Sequence, residues 1–265
     1  MKLCITTVVD EKYMAYLPLF VFCVNKAYPE YHVRLFVRDK CQYDLKKPWR
    51  LKCELVPLFE DYPRYEYMSI ALRFAIDKDY YKDFSHIYIT DIDMMIMREH
   101  RDIGYFHLIE MSETGMCYSN SLRNALHYAG SKSLTGLHFA SLEWFERTND
   151  LVSEYRDLLK EGILGTYREF DGVMLYRIAD RSGCGLPGKY RLTKRHHGIH
   201  LGNFRLFGKN RLKLDTRITM EHRARWMQFM GDSVFRNICE TCRNDNAEMD
   251  SQLRDLELFC KGQLC

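Results

Sequence analysis

Strand-like apolar runs and helix-like amphipathic runs take turns along the first half of this chain, and that alternation restricts the fold more than any single residue does. Leu3–Val9 (LCITTVV) reads as a strand and Leu17–Tyr28 as a helix. Tyr31–Val37 and Lys52–Pro57 then read as strands, Tyr67–Asp77 as a helix and Ile87–Met97 as a further strand region. Such an order predicts an α/β fold, a mostly parallel sheet flanked by helices on both faces. Open sheets of this kind bind ligands beyond the carboxyl ends of their strands. In the second half, Met116–Ser121 (MCYSNS) and Ser133–Ser141 (SLTGLHFAS) read as strands, and Leu142–Lys160 as an amphipathic helix. The segment from Gly183 to Arg205 is rich in glycine, bases and histidine, which is loop chemistry. From Thr219 onward the pattern is polar and helical. With 265 residues there is room for one large domain and a small addition. We therefore expect a main domain over 1–215 and a helical C-terminal appendage over 216–265.

Bulk chemistry removes several classes. The 39 basic and 36 acidic residues nearly cancel to +3, too mild a balance to point to nucleic acid as a partner. Asp10 and Glu11 interrupt the N-terminus too early for a signal-peptide core, and the longest apolar run, Tyr13–Val24, contains Pro18 and is too short for a membrane span. A cytoplasmic protein is expected, with peripheral contact to the cytoplasmic membrane face left open. Ten cysteines without a secretion signal predict reduced thiols. Cys239, Cys242, Cys260 and Cys265 have a spacing akin to a distorted zinc ribbon, although the charged helical stretch between them favours ordinary thiols.

Within the last strand region, HIYITDIDMMIM (His86–Met97) places Asp91 and Asp93 one residue apart in an apolar run. Carboxylates lose hydration in such a setting and need compensation. If the strand ends near Thr90, both acids reach the crevice, where two hard oxygen ligands can hold Mg²⁺ or Mn²⁺ against phosphate oxygens. An ordinary solvated turn would explain the charges but not the apolar MMIM that follows.

The order strand, D-x-D, apolar strand in HIYITDIDMMI resembles nucleotide-sugar glycosyltransferases of the GT-A fold, a Rossmann-like architecture. Three further stretches resemble glycosyltransferase family 8, which includes bacterial galactosyltransferases and glycogenin. TTVVDEKYM is similar to that family's first strand and nucleotide loop, which implies that Thr7, Asp10 and Tyr13 hold the base and ribose. YEYMSIALRFAI resembles the segment whose arginine reaches the donor, here Arg73. HHGIHLGNFR resembles a late loop in which a histidine completes the metal shell and a glycine and a base contact the diphosphate, here His200, Gly202 and Arg205. In the family pattern the glycine follows three residues after the histidine and the loop ends in Lys-Pro-Trp; here Gly202 follows His200 by two and Arg205 closes the loop, which leaves His197 as a rival ligand. The resemblance runs in order through roughly the first 210 residues.

That resemblance implies a hexosyltransferase using Mn²⁺ (or Mg²⁺) and a UDP-sugar donor, moving galactose or glucose with retention to a glycan or lipid-linked acceptor in surface polysaccharide or lipopolysaccharide synthesis. A diphosphate leaving group needs charge neutralisation, for which Lys194, Arg195 and Arg205 are candidates beside the metal; KRHH reads equally as a solvated basic loop. Tyr167–Leu175 (YREFDGVML) resembles the acidic stretch near the sugars. There Glu169 or Asp171 could orient a hydroxyl or, if the reaction inverts, act as general base. Asp171 before glycine also suits a helix N-cap. Gly136 and His138 suit a strand beside the acceptor, with glycine permitting close approach, or a plain buried strand. Tyr13 could stack on uracil or edge the core, and Arg223, Arg225, Trp226 and Phe229 could meet anionic lipid or pack internally. Two rival functions remain: a sugar nucleotidyltransferase, which would need a glycine-rich phosphate loop that TTVVDEKY lacks, and a non-catalytic carbohydrate-binding or scaffold protein on a GT-A-like fold.

Overall fold

The computed structural model describes residues 1–37, 49–58, 61–62, 68–124, 132–163, 171–188, 197–204 and 220–261. The chain runs β1 (Leu3–Val9), α1 (Leu17–Ala27), β2 (His32–Val37), β3 (Glu54–Pro57), α2 (Met68–Leu72), β4 (His86–Ile89) and β5 (Met94–Ile96). There follow α3 (Tyr105–Thr114), β6 (Tyr118–Ser119), β7 (Leu122–Asn124), β8 (Lys132–Leu134), β9 (His138–Ser141) and α4 (Leu142–Lys160). The described chain ends with α5 (Asp171–Arg181), β10 (Gly198–His200), α6 (Met220–Gly231), α7 (Ser233–Asp245) and α8 (Ala247–Cys260).

A six-stranded sheet has the order β3-β2-β1-β4-β9-β6. The first four strands are parallel, while β9 runs antiparallel to both β4 and β6. The architecture is thus α/β with a mostly parallel sheet, as the alternation predicts. β1 is buried along its whole length, because a central parallel strand is covered on both faces. One covering layer is built on Phe20 and Val24 of α1, the other on residues of α4 and α5 such as Trp144, Val152 and Ile178. The segment expected as an appendage folds into α6, α7 and α8, which enter the first layer through Trp226, Phe235, Ile238, Leu253 and Phe259. Tyr16 donates its hydroxyl to Gln252 at 3.0 Å, and the Trp49 indole donates to Asn237 at 2.7 Å, fastening these helices to the N-terminal half.

Two segments differ from their expected form. Tyr67–Asp77 was expected as one helix; among its described residues only Met68–Leu72 is helical. After Leu72 the backbone tightens through Phe74 N–H to the Ala71 carbonyl and Ala75 N–H to the Leu72 carbonyl, and Asp77 caps the next 3₁₀ turn. Ile87–Met97 is two strands, with β4 ending at Ile89 and β5 pairing antiparallel with β10 outside the main sheet. The break falls on the two aspartates. Cys239 and Cys242 are buried on α7 as free thiols, and burial pushes Cys239 up to about 12. Cys260 is also a free thiol, and Cys265 lies outside the described residues. No helix among the described residues is long and apolar enough to cross a membrane.

Candidate active site

β1 and β4 run side by side in register from Leu3 opposite His86 to Thr6 opposite Ile89, and Thr90 N–H continues the ladder to the Thr6 carbonyl at 3.0 Å. Both strands therefore stop at the same edge of the sheet, with Thr7 on one and Asp91 just beyond the other. Asp91, Ile92 and Asp93 form a turn, after which β5 leaves the sheet plane to pair with β10, Met94 opposite His200 and Ile96 opposite Gly198. The Leu201 N–H donates to the Asp93 carbonyl at 2.9 Å. This ladder brings His200 to Asp93, Nε2 to Oδ1, at 3.0 Å. One ligand atom from each of Asp91, Asp93 and His200 lies within 4.8 Å of the others.

Of the two histidines expected as a third ligand, His200 or His197, only His200 lies beside the two aspartates among the described residues. His197 is buried on the far side of β10, with Nδ1 2.9 Å from Glu99 Oε2 and Nε2 2.9 Å from His107 Nε2. Gly202 completes the close approach: a Cβ there would lie 2.6 Å from Asp93 Oδ2 and 3.1 Å from His200 Nε2. Two carboxylates and an imidazole suit a divalent ion of the Mn²⁺ or Mg²⁺ type, with the oxygens as hard ligands.

A cleft of about 180 Å³ opens at this edge, lined by Thr7, Tyr13, Arg73, Asp91, Asp93 and His200 together with Val8, Ile70 and Ile92. Asp10 is not among its lining residues. Its Oδ1 accepts the Tyr13 N–H at 3.2 Å and so caps the 3₁₀ turn, Glu11–Tyr16, that carries Tyr13 to the cleft. Glu169, Lys194, Arg195 and Arg205 lie outside the described residues. A second, larger cavity of about 800 Å³ sits between α1, β2 and the stretch from Trp49 to Glu54, near the opposite ends of the parallel strands, and shares no residue with this one.

Arg73 joins three elements. Its guanidinium is buried, with Nη1 donating to Asp91 and Nη2 to Asp171 at the start of α5. Burial alone would lower the arginine pKa, but the two carboxylates outweigh it and keep the group charged. Burial likewise pushes the Asp91 carboxyl up, whereas the Arg73 charge, then the His200 field, overcome it and hold Asp91 down to about 2. Gly136 fits under this clamp; a Cβ would meet Arg73 Nη2 at 2.5 Å and Asp171 Oδ2 at 3.4 Å. Asp171 also accepts its neighbour's Gly172 N–H at 2.6 Å, so it joins the site and the helix start together. His138 is enclosed within β9, accepting the Asn120 amide on Nδ1 at 3.1 Å. Burial pulls its pKa down to about 3.

Sequence reasoning assigned Arg73 and Asp171 separate roles and did not link them, because a separation of 98 positions hides a contact that only the packing of α5 creates. It also passed over Glu99, His107 and His222, for which an isolated acid or histidine in sequence gives no signal.

No protein-family model matches the chain, and no curated protein does. Among solved structures it is similar to the galactosyltransferase LgtC in complex with donor and acceptor sugar analogues, at 16% identity and a TM-score of 0.39 over 65% of this chain and 69% of that one. An active-site mutant of LgtC gives 16% identity and a TM-score of 0.40, over 65% and 68% of the two chains. The apo-form glycosyltransferase GlyE of Streptococcus pneumoniae gives 13% identity and a TM-score of 0.48, over 76% of this chain and 47% of that one.

Proposed function

We propose that this protein is a divalent-metal-dependent glycosyltransferase that moves a hexose, galactose or glucose, from a UDP-sugar to a saccharide or lipid-linked acceptor of surface polysaccharide or lipopolysaccharide synthesis. The observation that carries this reading is that six residues selected from separate stretches of sequence, Thr7, Tyr13, Arg73, Asp91, Asp93 and His200, line a single cleft at the carboxyl ends of β1 and β4. Asp91, Asp93 and His200 would hold the ion. When bound, it supplies positive charge against the diphosphate as the sugar bond breaks. Tyr13 offers a ring face to a base, and Thr7 a hydroxyl beside it. Arg73 adds a fixed cation with low exposure, a preorganised electrostatic element whose field is little screened. Asp171, across Arg73 from Asp91, and Glu169 are the acids we assign to sugar or acceptor orientation, with retention favoured by the family resemblance. Arg205 would add a cation at the diphosphate, and Gly202 keeps Asp93 and His200 close. The protein would work in the cytoplasm, against the membrane face where the acceptor is lipid-linked.

Calorimetry of UDP with and without Mn²⁺ tests this reading. Wild type is expected to bind UDP at least tenfold more tightly with Mn²⁺, and Asp91→Ala and Asp93→Ala to lose that gain. Equal, metal-independent UDP binding in all three proteins would sink it.

A further inference from the structure

We propose that Glu99 is a positioning residue for the metal site: by holding His197, just before β10, and His222 of α6 it fixes the register of β10, and with it the His200 ligand. The inference rests on the metal reading of Asp91, Asp93 and His200.

The β5–β10 ladder has two ends. At one, Leu201 binds the Asp93 carbonyl and His200 reaches Asp93. At the other, Met97 N–H donates to the His197 carbonyl at 2.8 Å, and the His197 side chain is enclosed. The backbone at this second end is strained. His197 has φ +49°, a left-handed conformation that side-chain-bearing residues avoid, and Gly198 follows at φ +155° with its α-carbon pressed against β5. A Cβ on Gly198 would lie 1.9 Å from the Met95 carbonyl oxygen. A conformation of this cost persists only where the surroundings fix it.

The surroundings are a run of polar groups that the cleft does not use. Glu99 Oε2 is 2.9 Å from His197 Nδ1, and its Oε1 is 3.6 Å from His222 Nε2. His107 on α3 meets His197 Nε2 on one side and Ser119 Oγ, at 2.7 Å, on the other. Ser119 in turn donates to Glu110. Glu99 thus stands between the ladder, through His197, and the C-terminal helices, through His222, while α3 and β6 brace the opposite ring edge. Two residues, Gly198 and Ile199, separate the anchored His197 from His200, and both are strand residues paired with β5. A shift of β10 by one residue would exchange the side of the strand on which His200 projects.

Direct Mn²⁺ binding, read by the electron spin resonance signal of free Mn²⁺, tests this without any turnover. Glu99→Ala is expected to weaken Mn²⁺ about tenfold, the scale set by groups that orient a metal ligand. In a His200→Ala background the same substitution should change nothing, because the ligand it positions is gone. Glu99→Gln, which keeps an acceptor for His197, should restore most of the affinity. His222→Phe should give a smaller loss that also vanishes in the His200→Ala background, and it covers the case in which Glu99→Ala does not fold. An equal loss from Glu99→Ala in both backgrounds, or none in wild type, overturns the positioning role while leaving the metal site intact. Equal Mn²⁺ affinity in wild type and His200→Ala overturns the metal reading and the positioning role with it.

Discussion

Two polar clusters flank the β5–β10 ladder, one open and one closed. At the open end, Asp93 and His200 face a cleft, and the Arg73 guanidinium stands among acids that a ligand can also reach. At the closed end, Glu99, His197, His107, Ser119 and Glu110 satisfy one another beneath α3 and α6. Burial pushes the Glu99 carboxyl up, yet His197 and His222 more than offset this and hold it well below the usual carboxylate range. The chemistry of the two ends is similar: carboxylates beside imidazoles. Access is what separates them, because groups whose partners are all internal stabilise the fold, whereas groups that share a cleft remain available to bind.

The sharpest break between the two ends is expected from Gly198→Ala at the closed end. The added methyl meets the Met95 carbonyl, a backbone atom with nowhere to go, so we expect a loss of about 3 kcal/mol or more in urea unfolding. A loss below about 1 kcal/mol would show that the His197–Gly198 bend is not fixed as described. Next in size, His197→Ala should cost about 2 kcal/mol of stability, since it strands buried partners, while His200→Ala should change stability by less than about 0.5 kcal/mol. Mn²⁺ binding should rank these variants the other way, with His200→Ala the more damaging. The same ranking in both measurements would erase the distinction between the ends.

Gly202→Ala offers a subtler test at the open end. Its methyl would meet the tips of Asp93 and His200, which can swing aside, so stability should hold while Mn²⁺ affinity falls about tenfold, or roughly 1.4 kcal/mol. Unchanged metal affinity would remove Gly202 from the site. The smallest effect concerns His138, buried on β9 away from both ends. Its folded pKa, about 3, lies below the 6.5 of the unfolded chain, so only the unfolded state takes up this proton between those values. Stability from this group is present above pH 6.5 and is lost as pH falls toward 3. Relative to a His138→Asn variant, wild type should lose about 1 kcal/mol between pH 7 and 5.5. Parallel stability profiles for the two proteins would contradict a neutral, enclosed His138.

Much of this molecule is legible residue by residue. The apolar run Leu3–Val9 matches β1, and Leu142–Lys160 matches α4, because a continuous buried strand and a one-sided helix each write their period into the sequence. The D-x-D run, read within one strand region, marks where that region breaks into β4 and β5, since unpaired carboxylates are costly inside a sheet. The sequence favoured His200 and left His197 as a rival. Both lie in one short glycine-containing stretch, and only the pairing of β10 with β5 sends one ring to Asp93 and the other to Glu99.

The tail and the arginine carry the same lesson. Polar helical composition beyond Thr219 reads as a helical appendage, and what the sequence does not show is that Trp226, Phe235 and Leu253 sit in a core shared with α1, contacts whose partners lie some two hundred residues earlier. Arg73 could be singled out, but its two carboxylate partners come from a turn and a helix that meet only in the folded chain. Sequence by itself determined most of the segments that become strands and helices and which acids interrupt them, because those are local consequences of period and hydration. Tertiary structure alone decided which side chains share a cleft and which are sealed away, because that depends on strand register and helix packing between residues far apart in the chain.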